Sequence, residues 1–114
     1  MIQARFEKSE DGKTIILTLN GHSGQAEMGQ DIVCSAASIL AYTVAKMVTD
    51  MQECGKLKKK PHIRMDSGDA VITCKPTKQY FNEALHIYTV AQTGYDLLAH
   101  TYPEYVRVTK FGEA

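Results

Sequence analysis

Residues Ile2 to Lys8 set Ile2, Ala4 and Phe6 against Gln3, Arg5 and Glu7, the two-residue period of a strand with one buried face. Asp11-Gly12 comes next, a hairpin signal because glycine accepts positive φ. Thr14 to Leu19 (T-I-I-L-T-L) reads as the returning strand. From Asp31 to about Cys54 the apolar positions Ile32, Ala36, Ile39, Leu40, Val44, Met47, Val48 and Met51 recur at helical spacing. Asp31 is the expected N-cap of this helix and Gly55 its C′ stop. Lys56 to Lys60 is basic and ends at Pro61, so it reads as a loop. His62 to Met65 and Ala70 to Lys75 are short strands around the turn residues Ser67-Gly68-Asp69. Thr77 is then expected to cap a long helix through Tyr80, Phe81, Ala84, Leu85, Tyr88, Ala91 and Leu98 that ends before Pro103, and Tyr105 to Lys110 closes as a strand.

The order ββ-α-ββ-α-β has neither repeat nor linker. It predicts a single α+β domain over residues 1–114, with two long helices packed on a mixed, mostly antiparallel sheet. The strand order is not legible from the pattern.

Composition adds bounds. The chain has 114 residues, enough for one two-layer core without a metal or disulfides. Thirteen basic residues balance thirteen acidic ones, so no overall charge draws it to nucleic acid or membrane. The apolar runs read as too short to span a bilayer. The start, Met1-Ile2-Gln3-Ala4-Arg5, lacks the regions of a signal peptide, which leads us to expect a cytoplasmic protein. Three cysteines, Cys34, Cys54 and Cys74, contain no C-x-x-C pair. That argues against a disulfide scaffold and a zinc site, and nothing in the pattern calls for a cofactor.

Chemistry concentrates between Gly21 and Ser38, G-H-S-G-Q-A-E-M-G-Q-D-I-V-C-S-A-A-S. With Asp31 as cap, Cys34 falls in the first helical turn, where the positive end of the helix dipole and open N–H groups favour a thiolate. His22 leaves the second strand through Gly21, and a helix packing back on its hairpin would bring it near the thiol as a general base. The plainer readings are a small buried cysteine and a strand-end histidine bonded to a carbonyl. Ser38, one turn beyond Cys34, either hydrogen-bonds near the site or permits close packing. The glycine-bearing segment Ser23 to Gln30 reads as a lid or as an ordinary connection. Lys56, Lys58, Lys59 and Lys60 read as a solvated helix end complementing the dipole, with contact to RNA or an acidic surface as the alternative.

Gly21-His22 followed by Asp31-Ile32-Val33-Cys34-Ser35-Ala36-Ala37-Ser38 closely resembles the motif of the ribosomal-processing cysteine proteases called Prp. The likeness covers essentially the whole chain. Ser23 and Ser35 depart from it, standing where the family often carries alanine. The resemblance implies an endopeptidase that removes an N-terminal extension from large-subunit ribosomal protein number twenty-seven, cutting after a pair of phenylalanines. It makes Cys34 the nucleophile and His22 the base; the residues themselves lead us to expect Gly21, Asp31 and Ser38 in support and backbone N–H groups at the helix start as holders of the oxyanion. The resemblance further implies a homodimer whose partner is that extension, while the balanced charge and short apolar runs lead us to expect no membrane and no direct nucleic-acid contact. The competing readings are a non-catalytic ribosome-associated binding module using Lys56 to Lys60, and a redox sensor pairing Cys34 with Cys54 or Cys74.

Overall fold

A computed structural model describes residues 1–22 and 28–113, with the backbone alone over 28–31. The strands are β1 (Ile2–Lys8), β2 (Ile15–Asn20), β3 (His62–Asp66), β4 (Asp69–Cys74) and β5 (Val106–Thr109). The helices are α1 (Met28–Glu53) and α2 (Phe81–Thr101), the second preceded by a single 3-10 turn, Lys78–Tyr80. The expected ββ-α-ββ-α-β order holds. One five-stranded sheet runs β3-β4-β2-β1-β5, antiparallel throughout except for the parallel β1–β5 pair.

The alternation in the strands sets the layers. Ile2, Ala4 and Phe6 of β1, Ile15 and Leu17 of β2, and Ala70, Ile72 and Cys74 of β4 are buried, while Gln3, Arg5 and Glu7 are exposed on the other face. Both helices cover the buried face. Each leucine- or isoleucine-sized side chain withdrawn there contributes about 1.5–3 kcal/mol.

Two tyrosines key the layers together. Tyr88 and Tyr95 are both fully buried. The Tyr88 hydroxyl donates to the carbonyl of Ile72 in β4 at 3.0 Å, and that of Tyr95 to Ala37 in α1 at 2.7 Å. Each bond offsets the cost of burying a hydroxyl. Burial raises both hydroxyls well above the usual tyrosine range. Phe6 stands 5.9 Å from Tyr95 and 5.7 Å from Phe111, centroid to centroid, extending the aromatic contact across the sheet.

Three expectations need correction. First, α1 begins at Met28, so Asp31 lies inside the helix rather than at its cap. Met28 and Gln30 are good helix formers, and the cost of Gly29, about 1 kcal/mol, is small beside the packing of a 26-residue helix. Second, the face that α1 buries is Val33, Ala37, Ala41, Val44, Val48 and Met51. Ile32, Ile39 and Met47, expected in the core, are 57%, 61% and 43% exposed. Alanines on the inner face let α1 approach the sheet and α2 closely, and a larger aliphatic there would hold it off. The same closeness appears at Gly94 of α2, where a Cβ would stand 2.8 Å from the Leu40 side chain. Third, the Thr77 side chain makes no cap hydrogen bond. The 3-10 turn intervenes, and the Thr77 carbonyl takes the Tyr80 N–H at 3.0 Å.

The C-terminal stop of α1 is as expected. Gly55 has φ +72, its N–H donates to Gln52 at 3.0 Å, and Lys56 N–H donates to Met51 at 3.0 Å. This pair of bonds is the Schellman motif. The stretch Ile32–Glu53 is long and apolar enough to cross a membrane by length and composition, contrary to the reading from runs alone. In this fold its inner face packs on the core, while Ile32, Ile39, Tyr42 and Met47 are exposed.

Candidate active site

Three chain segments converge where β2 ends. Asn20 pairs with Asp69 of β4, and one residue further the Gly21 N–H donates to the Gly68 carbonyl at 2.9 Å. Gly21 has φ +100, and a Cβ there would overlap the Met1 carbonyl oxygen. Both its conformation and its surroundings therefore require glycine. The His22 carbonyl accepts a hydrogen bond from the Met1 ammonium at 2.5 Å.

The His22 side chain is exposed to solvent on one side. On the other it rests on Gly68, the turn residue of the β3–β4 hairpin, which has φ +75. A Cβ on Gly68 would overlap Nε2 and Cε1 of the imidazole and stand 2.9 Å from Cδ2. The ring is thus seated on the bare backbone of that turn. The flanking Asp69 carboxylate engages Arg64 at 2.8 Å across the hairpin.

From the helix layer, α1 delivers Cys34, half-buried against the core, and Ser38 one turn later, exposed. Gly21, His22, Cys34 and Ser38 all line a single cavity of about 330 Å³. The Asp66–Asp69 turn and Tyr42 also line it, with apolar side chains of the sheet such as Ile2 and Leu19. This volume lies at the small end of the range for ligand pockets. A thiol and an imidazole facing one cleft are the parts of a nucleophile–base pair.

Four of the five expected site residues are therefore brought together, while the Asp31 side chain lies outside the described residues. The suggested lid falls partly there too: Ser23 to Glu27 are not described, and Met28 to Gln30 belong to α1. The corrected helix start also changes the electrostatics expected for Cys34. It is the seventh residue of α1, about 9 Å along the axis from the first at 1.5 Å per residue. The dipole acts within the first turn, so neither the helix end nor its open N–H groups reach the thiol.

The turn residues Asp66, Ser67, Gly68 and Asp69 were not anticipated at the site. Ser67-Gly68-Asp69 announced the hairpin, but only the order β3-β4-β2 places that turn beside the end of β2. None of the three cysteines is in a disulfide. Cys54 follows the last residue of α1, twenty residues from Cys34 and about 30 Å along the helix axis, and Cys74 is fully buried in the core, its thiol pushed up to about 11 by desolvation. This geometry removes the redox pairing. Among the described residues, no three potential metal ligands cluster.

Comparisons with known proteins bear on this cleft. Among curated proteins none matches the chain in sequence. Crystal structures of a ribosomal processing protease Prp from Staphylococcus aureus are similar in fold. One, with a covalently linked product peptide, has 24% identity and a TM-score of 0.67, covering 97% of this chain and 99% of that one. A second, with a substrate peptide, has 20% identity and a TM-score of 0.66 over the same shares. The protein SMU.848 of Streptococcus mutans is also similar, with 24% identity and a TM-score of 0.66 over 96% of this chain and 92% of its own. The family model for the cysteine protease Prp matches residues 1–107. With the match spanning both the cleft and the fold that carries it, the chain belongs to the Prp family of cysteine proteases.

Proposed function

We propose that this cysteine protease removes the N-terminal extension of large-subunit ribosomal protein twenty-seven, cutting after an aromatic pair, with Cys34 as nucleophile and His22 as general base. The observation that carries the reading is the shared cleft: a half-buried thiol and an imidazole line one cavity. The Staphylococcus aureus relatives hold a covalently linked product peptide and a substrate peptide, which supports a peptide as the occupant here.

In this reading His22 withdraws the Cys34 proton and the sulfur attacks the scissile carbonyl. His22 then returns the proton to the leaving amine, and water hydrolyses the thioester. Seating on Gly68 restricts the imidazole, so less orientation is lost on the way to the transition state. Ser38, on the same helix face one turn on, is a hydrogen-bonding group available to the bound peptide.

We also infer a cytoplasmic homodimer. Ile39 and Tyr42 of α1 are 61% and 55% exposed, and Val90 and Leu97 of α2 are 59% and 65% exposed. Outward aliphatic and aromatic side chains on both helices are what a self-complementary interface requires.

The test is kcat/KM on a series of extension peptides. Burying a phenylalanine side chain contributes about 1.5–3 kcal/mol, so replacing either substrate phenylalanine by alanine lowers kcat/KM by roughly 10- to 100-fold. Equal cleavage of the substituted peptides would show that an aromatic pair does not select the substrate.

A further inference from the structure

The balanced overall charge conceals an uneven distribution. At the end of the sheet away from the cleft, the β1–β2 turn, the segment after α1, the end of β4 and the 3-10 turn meet. Their backbones are tied together. Lys58 N–H donates to the Lys75 carbonyl at 2.8 Å, Thr77 N–H to the Lys56 carbonyl at 2.9 Å, and Leu57 bridges Pro76. Lys56 is committed locally: its ammonium binds both Glu83 oxygens at 3.1 Å and stands 5.0 Å from the Tyr80 ring centroid.

The neighbouring lysines are not so committed. Lys13, Lys58 and Lys78, all exposed, line one groove of about 410 Å³ with Gly12, Pro76 and Phe81. Lys59 and Lys60 continue from Lys58, and Lys75 lies at the end of β4. Among the described residues none of these six lysines takes part in a salt bridge, whereas Lys46, Lys56, Arg64 and Lys110 do. Two acids, Glu10 and Asp11, share the β1–β2 turn with Lys13. The Asp11 carboxylate accepts from the Ser9 hydroxyl at 2.6 Å and from Lys13 N–H at 3.0 Å, and lies near Lys75. Three lysines and no carboxylate line the groove itself, and three further lysines and two acids lie on the segments that flank it, so the groove is positive. The last turn of α1 carries no basic residue, and helix-dipole compensation does not account for lysines drawn from four separate segments.

We propose that this groove is an RNA-docking surface, separate from the proteolytic cleft. Lysines on a rigid frame supply point charges to phosphates, and Phe81, half-buried against the core, lines the groove beside them. A positive groove with an aromatic side chain in its lining suits a single-stranded nucleic acid, whose phosphates meet the lysines while a base meets the ring. The groove and the cleft share no lining residue, so RNA held at one end leaves the other open to peptide. The inference does not rest on the identity of the proteolytic substrate. RNA docking here departs from the expectation of no direct nucleic-acid contact that the balanced net charge suggested.

The experiment is fluorescence anisotropy with a labelled twelve-nucleotide RNA of mixed sequence, run between 50 and 200 mM salt. Three to five lysines on phosphates, at about 0.7 per contact, give a slope of log affinity against log salt of about −2 to −3.5. The variant carrying Lys58→Glu and Lys78→Glu binds at least tenfold more weakly while cleaving extension peptide at the unaltered rate. Lys58→Gln with Lys78→Gln, a milder pair, weakens binding in the same direction should the first variant fold poorly. Lys110→Glu, a charge reversal elsewhere, leaves binding unchanged. Three results would overturn the proposal: no binding at 50 mM salt, equal loss from Lys110→Glu, or polyglutamate displacing the RNA at lower concentration than unlabelled RNA does. The last would assign the groove to an acidic protein.

Discussion

Replacing Gly68 by alanine tests whether the β3–β4 turn sets the position of the His22 imidazole. Two costs attach to the change, and the structure separates them. The first is conformational: at φ +75 an L side chain costs about 1–2 kcal/mol. Gly12, at φ +72 with nothing within 4 Å of where a Cβ would stand, bears that cost alone, so Gly12→Ala is the matched control. The second is displacement. The added Cβ overlaps Nε2 and Cε1 and lies 2.9 Å from Cδ2, whereas unstrained carbon contacts begin near about 3.5 Å. The ring therefore moves by roughly 1 Å or more, a misplacement that costs on the order of 100-fold in rate. A domain of ordinary stability, about 5 kcal/mol or more, remains over about 99% folded after losing roughly 2 kcal/mol. Unfolding cannot then imitate the kinetic effect. The assay is kcat and KM on extension peptide beside urea unfolding of both variants. We expect similar losses of stability, but a kcat about 100-fold lower in Gly68→Ala alone. Equal kcat in the two variants would refute the reasoning.

Further outcomes follow from the core and the surface. Tyr95→Phe removes the buried hydroxyl that bonds the Ala37 carbonyl at 2.7 Å and lowers unfolding free energy by about 1 kcal/mol, read from the urea midpoint at constant m-value; an unchanged midpoint would contradict this. Burial pushes the Cys74 thiol from 9.0 up to about 11, so the unfolded chain releases that proton first. Stability is then full below about pH 9 and falls as pH rises toward 11, by on the order of 2–3 kcal/mol, with a smaller fall in Cys74→Ala; equal falls would exclude this thiol. If the proposed homodimer uses these helix faces, Ile39→Asp combined with Leu97→Asp gives a monomer by light scattering beside a dimeric parent, and a dimer that survives both changes would place the interface elsewhere.

The sequence was most informative where local chemistry decided the outcome. Alternation in β1, the glycine turn at Gly12 and the stop at Gly55 each rest on the residues present, and each appears as expected. The face of α1 was harder to read. Ile32, Ile39 and Met47 are more hydrophobic than Ala37 and Ala41, yet the alanines are inside, because the layer spacing favours small side chains and no single-helix pattern contains that spacing. The start of α1 was misplaced for a related reason. Asp31 is a good cap by type, but packing of a long helix outweighs one favourable cap. At the cleft, the meeting of His22 and Cys34 at one cavity was expected from the sequence, while the Gly68 turn was not. Its proximity to His22 depends on β4 lying beside β2, a long-range pairing that no local signal records.

The central claim is that Cys34 attacks the peptide with help from His22, and a trapped acyl-enzyme tests it most directly. Extension peptide is mixed with protein, quenched in acid within the first turnover, and digested for mass spectrometry. The account predicts an adduct of the peptide's N-terminal fragment on Cys34 in the parent protein, far slower adduct formation in His22→Ala, and neither adduct nor cleavage in Cys34→Ala. Cleavage at the parent rate by a folded Cys34→Ala protein, or an adduct on Cys54 instead, would contradict it.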